Sequence, residues 1–158
     1  MISFDENGFV KPYKIIELSL KEFSKHFVES LEERKHRANL FENYLKTLEE
    51  MRKLIERPFY QWVDGSYITR KKIPNDIDIV SFIQSDIIVK KGRHLLDLKK
   101  IAKQRDSIDL HYSPTCKWNH RLHEESKKYK ENWLDIFGFS RRDTSGLKHP
   151  KEIIQINH

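Results

Sequence analysis

The sequence predicts an α+β fold in which helices flank a small, mixed β-sheet. Apolar residues first recur at helical spacing, and short runs of strand type then alternate with further helical segments. With 158 residues, of which 37% are hydrophobic and 11% aromatic, the chain is long enough for one modest core. We therefore expect an N-terminal helical extension over residues 1–57 and a core over residues 58–158, packed as one compact unit.

Local signals delimit the elements of the N-terminal part. Asn7-Gly8 is a strong turn signal, and Ser19 followed by Glu22 forms a capping box at the start of a helix. A longer apolar stripe of period 3.6 follows and must end before Pro58. The predicted elements are a turn-rich segment over 4–13 and helices over 20–31 and 33–56.

Strands and helices alternate in the second half of the chain. The runs "FYQWV", "DIDIVSFI" and "SIDLHYS" are short, β-branched or aromatic, and partly alternating, as strands are. The run "EIIQI" predicts a last short strand, which we place at a sheet edge if it pairs at all. The predicted strands cover 59–63, 76–83, 107–113 and 152–156, and the predicted helices cover 86–104 and 119–137.

The overall composition narrows the partners and the compartment. Thirty basic and 24 acidic residues give a net charge of +6, which favours nucleotides, RNA or DNA but equally fits a merely soluble basic surface. Cys116 is the only cysteine, so a reducing cytoplasm is the expected location. No apolar run approaches the roughly 20 residues of a membrane span, and the N-terminus lacks a signal-peptide pattern.

Two aspartates at alternate positions of a predicted strand suggest a metal site. Asp76 and Asp78 leave the same face of the strand about 7 Å apart, whereas Ile77 and Ile79 face the core. Two such carboxylates can converge on one hard cation, and oxygen ligands select Mg²⁺ or Mn²⁺. The alternative is a solvated strand start after a Pro-Asn turn.

A third carboxylate would complete a two-metal site. Asp109 is the candidate because its apolar neighbours face the other way on the predicted strand, and His111 shares its face. Asp106 is the substitute candidate. Two metal ions on three carboxylates stabilise the attacking and leaving oxygens of a phosphoryl displacement. A single polar residue on a half-exposed strand is the ordinary alternative for Asp109.

The segment before the predicted strand of Asp76 and Asp78 has the composition of a phosphate site. Gly65 lets backbone N–H groups approach a phosphate, and the hydroxyl of Ser66 can donate to it. Arg70, Lys71 and Lys72 follow, either to neutralise a triphosphate or as a solvated loop. A second basic segment has the same two interpretations and contains Arg141, Arg142 and Lys148.

Taken together, these residues resemble a known superfamily. Gly-Ser, a spacer of about nine residues, Asp-x-Asp on a strand and a later lone Asp resemble the DNA polymerase β-like nucleotidyltransferases. The stretch "DGSYITRKKIPNDIDIV" is especially similar to small bacterial minimal nucleotidyltransferases. The likeness is sharp over residues 62–80 and extends to Asp109. The segments "NGFVKP" and "IFGFSRRDTSGLKHPKEIIQI" also resemble an uncharacterised bacterial group of such proteins.

The resemblance implies a nucleotidyltransferase-type sheet and a role for each motif residue. Asp76 and Asp78 would bind both metal ions, and Asp109 would bind the ion that activates an attacking hydroxyl. Gly65 and Ser66 would contact the β- and γ-phosphates of a nucleotide. The chain departs from larger members in two ways: the spacer after Gly-Ser allows little more than one helical turn, and no separate base-binding or acceptor-binding domain is evident.

The implied function is transfer of a nucleoside monophosphate from an NTP, ATP among them, to a hydroxyl group with release of pyrophosphate. The acceptor would be RNA, a protein, a small molecule or another nucleotide. The resemblance to small bacterial members also suggests a toxin–antitoxin or phage-defence setting, with a partner protein or a homodimer. Two alternatives stay open: a catalytically silent nucleotide- or nucleic-acid-binding module of the same fold, and a structural DNA- or RNA-binding protein.

Overall fold

The computed structural model describes residues 2–11, 14–140, 142 and 144–158. Within these residues the protein has an α+β fold of four α-helices, a five-stranded mixed sheet and a two-stranded hairpin, which confirms the predicted fold class. The helices are α1 (Leu20–Ser24), α2 (Arg34–Ile55), α3 (Ser85–Ile101) and α4 (His123–Phe137). The strands are β1 (Ser3–Phe4), β2 (Val10–Lys11), β3 (Ile15–Glu17), β4 (Tyr60–Asp64), β5 (Ile77–Gln84), β6 (Ile108–Thr115) and β7 (Ile153–Asn157).

The five-stranded sheet has the order β3-β7-β4-β5-β6. Strands β5 and β6 are parallel, β4 is antiparallel to both of its neighbours, and β3 is parallel to β7. The prediction that "EIIQI" lies at an edge is wrong, because β7 lies between β3 and β4. Ile154 and Ile156 of β7 are fully buried, as the side chains of an internal strand are. The edge next to β7 is formed by β3, a three-residue strand that is too short to show an alternating pattern.

Helices cover both faces of the sheet. On one face Ile77 and Ile79 of β5 are fully buried in the main core, which includes residues of α1, α2 and α3. On the other face Val80 of β5 and Trp62 of β4 pack with Phe137 of α4 in a smaller cluster. Because successive side chains of β5 point to opposite faces of the sheet, this strand contributes to both cores. The residues that precede Val80 on the same face lie at the end of the sheet beside α4.

The N-terminal part contributes both helices and strands to this architecture. The predicted capping box is present: Glu22 N–H donates to the Ser19 hydroxyl over 3.2 Å, and Ser19 N–H donates to Glu22 over 2.9 Å. Helix α1 continues as a π-helical turn over Lys25–Glu29. The predicted Asn7-Gly8 turn joins β1 to β2, with Gly8 at φ 81°. Within the described residues, no helix combines the length and apolar character that crossing a bilayer requires.

Candidate functional site

Strand register brings the predicted carboxylates together at one end of the sheet. Asp78 pairs with Asp109 across β5 and β6, and with Asp64 across β5 and β4. Residues paired across neighbouring strands point to the same face, and Asp76 precedes β5 by one residue. One carboxylate oxygen from each of Asp76, Asp78 and Asp109 lies within 4.8 Å of the other two. The three residues thus form a compact acidic cluster.

The carboxylates of this region disfavour one another's charge. Burial, followed by the charges of Asp76, Asp64 and Asp109, raises the pKa of Asp78 to about 6. Burial likewise raises the pKa of Asp64 to about 6, although Lys151 opposes the rise. A cation placed among these groups would relieve the repulsion and favour the ionised forms.

Asp109 is contacted on both carboxylate oxygens by basic side chains. Lys103 Nζ lies 2.7 Å from Oδ2, and His111 Nε2 lies 3.4 Å from Oδ1. Burial opposes ionisation of Asp109, but the Lys103 hydrogen bond and neighbouring charges outweigh it and lower its pKa. Burial and the Lys99 charge lower the pKa of His111. Because Lys99 Nζ lies 3.1 Å from His111 Nδ1, that nitrogen accepts, and Nε2–H is left to donate to Asp109.

Gly65 has a backbone conformation that its position beside the cluster requires. Its φ of 80° and ψ of −167° lie in a region that residues with a Cβ rarely adopt. A methyl group at this position would overlap the carboxylate of Asp78. Ser66 then opens a single 3₁₀ turn over Ser66–Ile68, in agreement with the predicted room for one turn. The Gly-Ser turn and β5 are therefore in direct contact.

The loop after this turn is fixed by a buried arginine of α2. Arg37 is fully buried and donates to the carbonyl oxygens of Phe27 (3.1 Å), Tyr67 (2.6 Å), Thr69 (2.9 Å) and Lys71 (2.5 Å). Three of these acceptors belong to the loop that follows Ser66. The guanidinium therefore sets the path of the chain between the Gly-Ser turn and β5.

A cleft of about 1070 Å³ opens over the acidic cluster. The structure places most, but not all, of the predicted site residues along it. The predicted residues that line the cleft are Gly65, Ser66, Lys71, Asp76, Asp78, Asp109, Arg142 and Lys148.

Three residues considered from the sequence point away from the cleft. The guanidinium of Arg70 lies 5.1 Å from the centre of the Phe4 ring, and Lys72 pairs with Glu32 at 2.9 Å. Asp106 is buried and pairs with Arg105, so it does not replace Asp109. Arg141, named with the second basic segment, lies outside the described residues.

The comparison with known proteins identifies the family. A family profile matches residues 2–157, which is nearly the whole chain. The protein belongs to DUF6932. That family is described as one of unknown function. No curated protein and no solved structure matches the chain.

Sequence reasoning missed several residues of the DUF6932 cleft. Lys151 precedes β7 and binds Asp64 with Nζ–O distances of 2.6 and 2.8 Å. Lys103 belongs to a π-helical turn that follows α3. Phe139 and Asp135 come from the end of α4 and the segment after it. Only the tertiary fold brings these four residues close to the acidic cluster. Their spacing in the sequence gives no sign that they lie there.

Proposed function

We propose that this protein is a metal-dependent nucleotidyltransferase that moves a nucleoside monophosphate from an NTP to a hydroxyl group. One observation carries the proposal: the clustered oxygens of Asp76, Asp78 and Asp109 share a cleft with the Gly65-Ser66 turn. The parallel pair β5–β6 and the antiparallel pair β4–β5, with Gly-Ser directly after β4, support a sheet of the nucleotidyltransferase type.

The donor set fits a hard divalent cation. All three side chains offer carboxylate oxygens, which suit Mg²⁺ or Mn²⁺ rather than metals that select thiolate or imidazole. The raised pKa of Asp78 indicates that the charged cluster gains from a cation. When bound, the metal would supply Lewis acidity and neutralise phosphate charge. Asp76, Asp78 and Asp109 would bind it.

Other groups of the cleft suit the polyphosphate of the NTP. The Ser66 hydroxyl is a donor beside the Gly65 turn, and Lys71 supplies a positive charge from the loop fixed by Arg37. Arg142 and Lys148 add positive charge to the same cleft. These residues would orient the triphosphate for in-line attack, so that alignment and charge account for most of the catalysis.

The reaction balances without a further reactant. The acceptor oxygen forms a bond to the α-phosphorus, the bond from that phosphorus to the α,β-bridging oxygen breaks, and pyrophosphate leaves. The hydroxyl loses its proton to water. RNA, a protein side chain or a small molecule would each supply a suitable hydroxyl group.

Transfer of radioactivity tests the proposal directly. The protein is incubated with each α-labelled NTP, Mg²⁺ or Mn²⁺ and a cell extract, beside an Asp76→Asn/Asp78→Asn variant and an Asp97→Asn control. Asp97 is an exposed carboxylate of α3 that does not line the cleft. We expect a labelled product from the wild type and the control only. Metal-dependent NTP binding without transfer would indicate a silent binding module, and the absence of both would refute the proposal.

A further inference from the structure

We infer that the wall of the cleft formed by the end of α4 and the segment after it binds the nucleotide base and prefers guanine. The inference rests on the proposed function. Two large apolar side chains of this wall are solvent-exposed inside the cleft: Ile136 is 58% exposed and Phe139 is 43% exposed. Exposed apolar groups inside a concave, charged cleft are typical of a ligand site rather than of ordinary surface.

Phe139 is fixed relative to the acidic cluster by backbone pairing. Ser140 N–H donates to the carbonyl of His149 over 2.8 Å, and Lys151 N–H donates to the carbonyl of Gly138 over 2.8 Å. These bonds flank Phe139 and pair it with Pro150, the residue before Lys151. Lys151 in turn binds Asp64. The aromatic ring therefore belongs to a wall that is tied to the carboxylates.

The chemistry of the wall fits a base better than an aliphatic ligand. An aromatic side chain stacks on any base, and such stacking contributes about 1–3 kcal/mol per base. The same cleft offers carboxylates and basic groups where metal ions and a polyphosphate would bind. A nucleotide is a ligand that presents a flat apolar group and a polyphosphate together.

Asp135 supplies a reason for base preference. It is exposed, lines the cleft and lies four residues before Phe139. A carboxylate only accepts hydrogen bonds and takes two parallel donors best. Guanine presents two adjacent donors, N1–H and the N2 amino group. Adenine and cytosine each present a single amino group, and uracil a single ring N–H.

Equilibrium binding separates the base from the polyphosphate. Calorimetry with Mg²⁺ compares inorganic tripolyphosphate with non-hydrolysable α,β-methylene analogues of the four NTPs. We expect the UTP analogue to bind the wild type about tenfold more tightly than tripolyphosphate, and the GTP analogue to bind more tightly still. Phe139→Ala should lose about tenfold for every NTP analogue and nothing for tripolyphosphate, whereas Phe139→Trp should retain binding. Asp135→Asn should remove the advantage of the GTP analogue over the UTP analogue.

The controls distinguish the failure of this inference from that of the proposed function. Trp118→Ala removes an aromatic side chain that is 83% exposed and does not line the cleft, so it should change nothing. Equal binding of tripolyphosphate and all analogues would refute the base site and leave the metal–phosphate site standing. Preference for another base would refute the role of Asp135. No Mg²⁺-dependent binding of any of these ligands would refute the proposed function as well.

Discussion

Replacing Asp78 by Asn should make the protein more stable without metal and less stable than the wild type with metal. Asp78 lies between Asp64 and Asp109 on neighbouring strands, with Asp76 close by. Burial and these three charges raise its pKa to about 6. Above pH 6 the ionised carboxylate therefore destabilises the metal-free fold, and the neutral amide of Asn removes that cost.

The size of the effect follows from the pKa of Asp78. A carboxyl group that titrates near pH 6 instead of 3.8 carries about 3 kcal/mol of unfavourable free energy when ionised. Asp78 is only half-buried, so solvent screening reduces this to about 1–2 kcal/mol. For a chain of this length, each kcal/mol raises the melting temperature by about 2–4 °C. A cation bound at the proposed site would stabilise the wild type by about 2.7 kcal/mol at a hundred times its Kd.

Thermal and urea unfolding at pH 8 measure the cost of the ionised carboxylate when EDTA is present and the stabilisation by the cation when Mg²⁺ is present. Asp78→Asn should unfold at a higher temperature than the wild type in EDTA, and Mg²⁺ should stabilise the wild type but hardly the variant. Asp97→Asn, the exposed control, should stay within about 0.5 kcal/mol of the wild type in both conditions. A variant that is less stable in EDTA, or a wild type that ignores Mg²⁺ and Mn²⁺, would refute the reasoning.

Three further predictions concern the surroundings of the cluster. Gly65→Ala should lower the free energy of unfolding by about 2–4 kcal/mol, because its backbone conformation and the Asp78 carboxylate both exclude a Cβ; unchanged urea unfolding would contradict this. Arg37→Met should cost about 2–4 kcal/mol in the same assay by leaving buried carbonyls unpaired, and a loss below 1 kcal/mol would show that they find other partners. Burial raises the pKa of Glu152 to about 7, so the wild type should lose stability relative to Glu152→Gln as pH rises from about 4.5 to 7; melting temperatures that differ equally at pH 5 and pH 8 would count against it.

The parts of the fold that local alternation determines could be predicted from the sequence. Ile77 and Ile79 are buried because their side chains alternate with carboxylates along β5, and Ile108 and Leu110 flank Asp109 on β6 in the same way. Such a pattern fixes which face each side chain takes but not which strands become neighbours. That Asp109 joins Asp76 and Asp78 was predicted from the polar face of its strand and from the resemblance, and the register of β5 and β6, which pairs Asp78 with Asp109, brings them together.

Features that depend on distant pairing could not be predicted from the sequence. The internal position of β7 requires β3, and the three residues of β3 give no periodic signal. Arg70 and Lys71 are neighbours in a basic run, yet Lys71 lines the cleft and Arg70 covers Phe4. Their directions follow from the path that Arg37 imposes on the loop, and nothing in the run itself distinguishes them.

The charges of the cluster bear on how many cations the proposed site would hold. In the part of the chain that the structure describes, Lys151 pairs with Asp64 and Lys103 pairs with Asp109, while neither Asp76 nor Asp78 forms an ion pair. Four ionised carboxylates thus face two ammonium groups, and one divalent cation in the proposed site would balance the remaining two negative charges. A second cation would find too little charge until a polyphosphate enters with its own. Lys103 would then have to leave Asp109, and the phosphates that enter with the metal offer it a new partner.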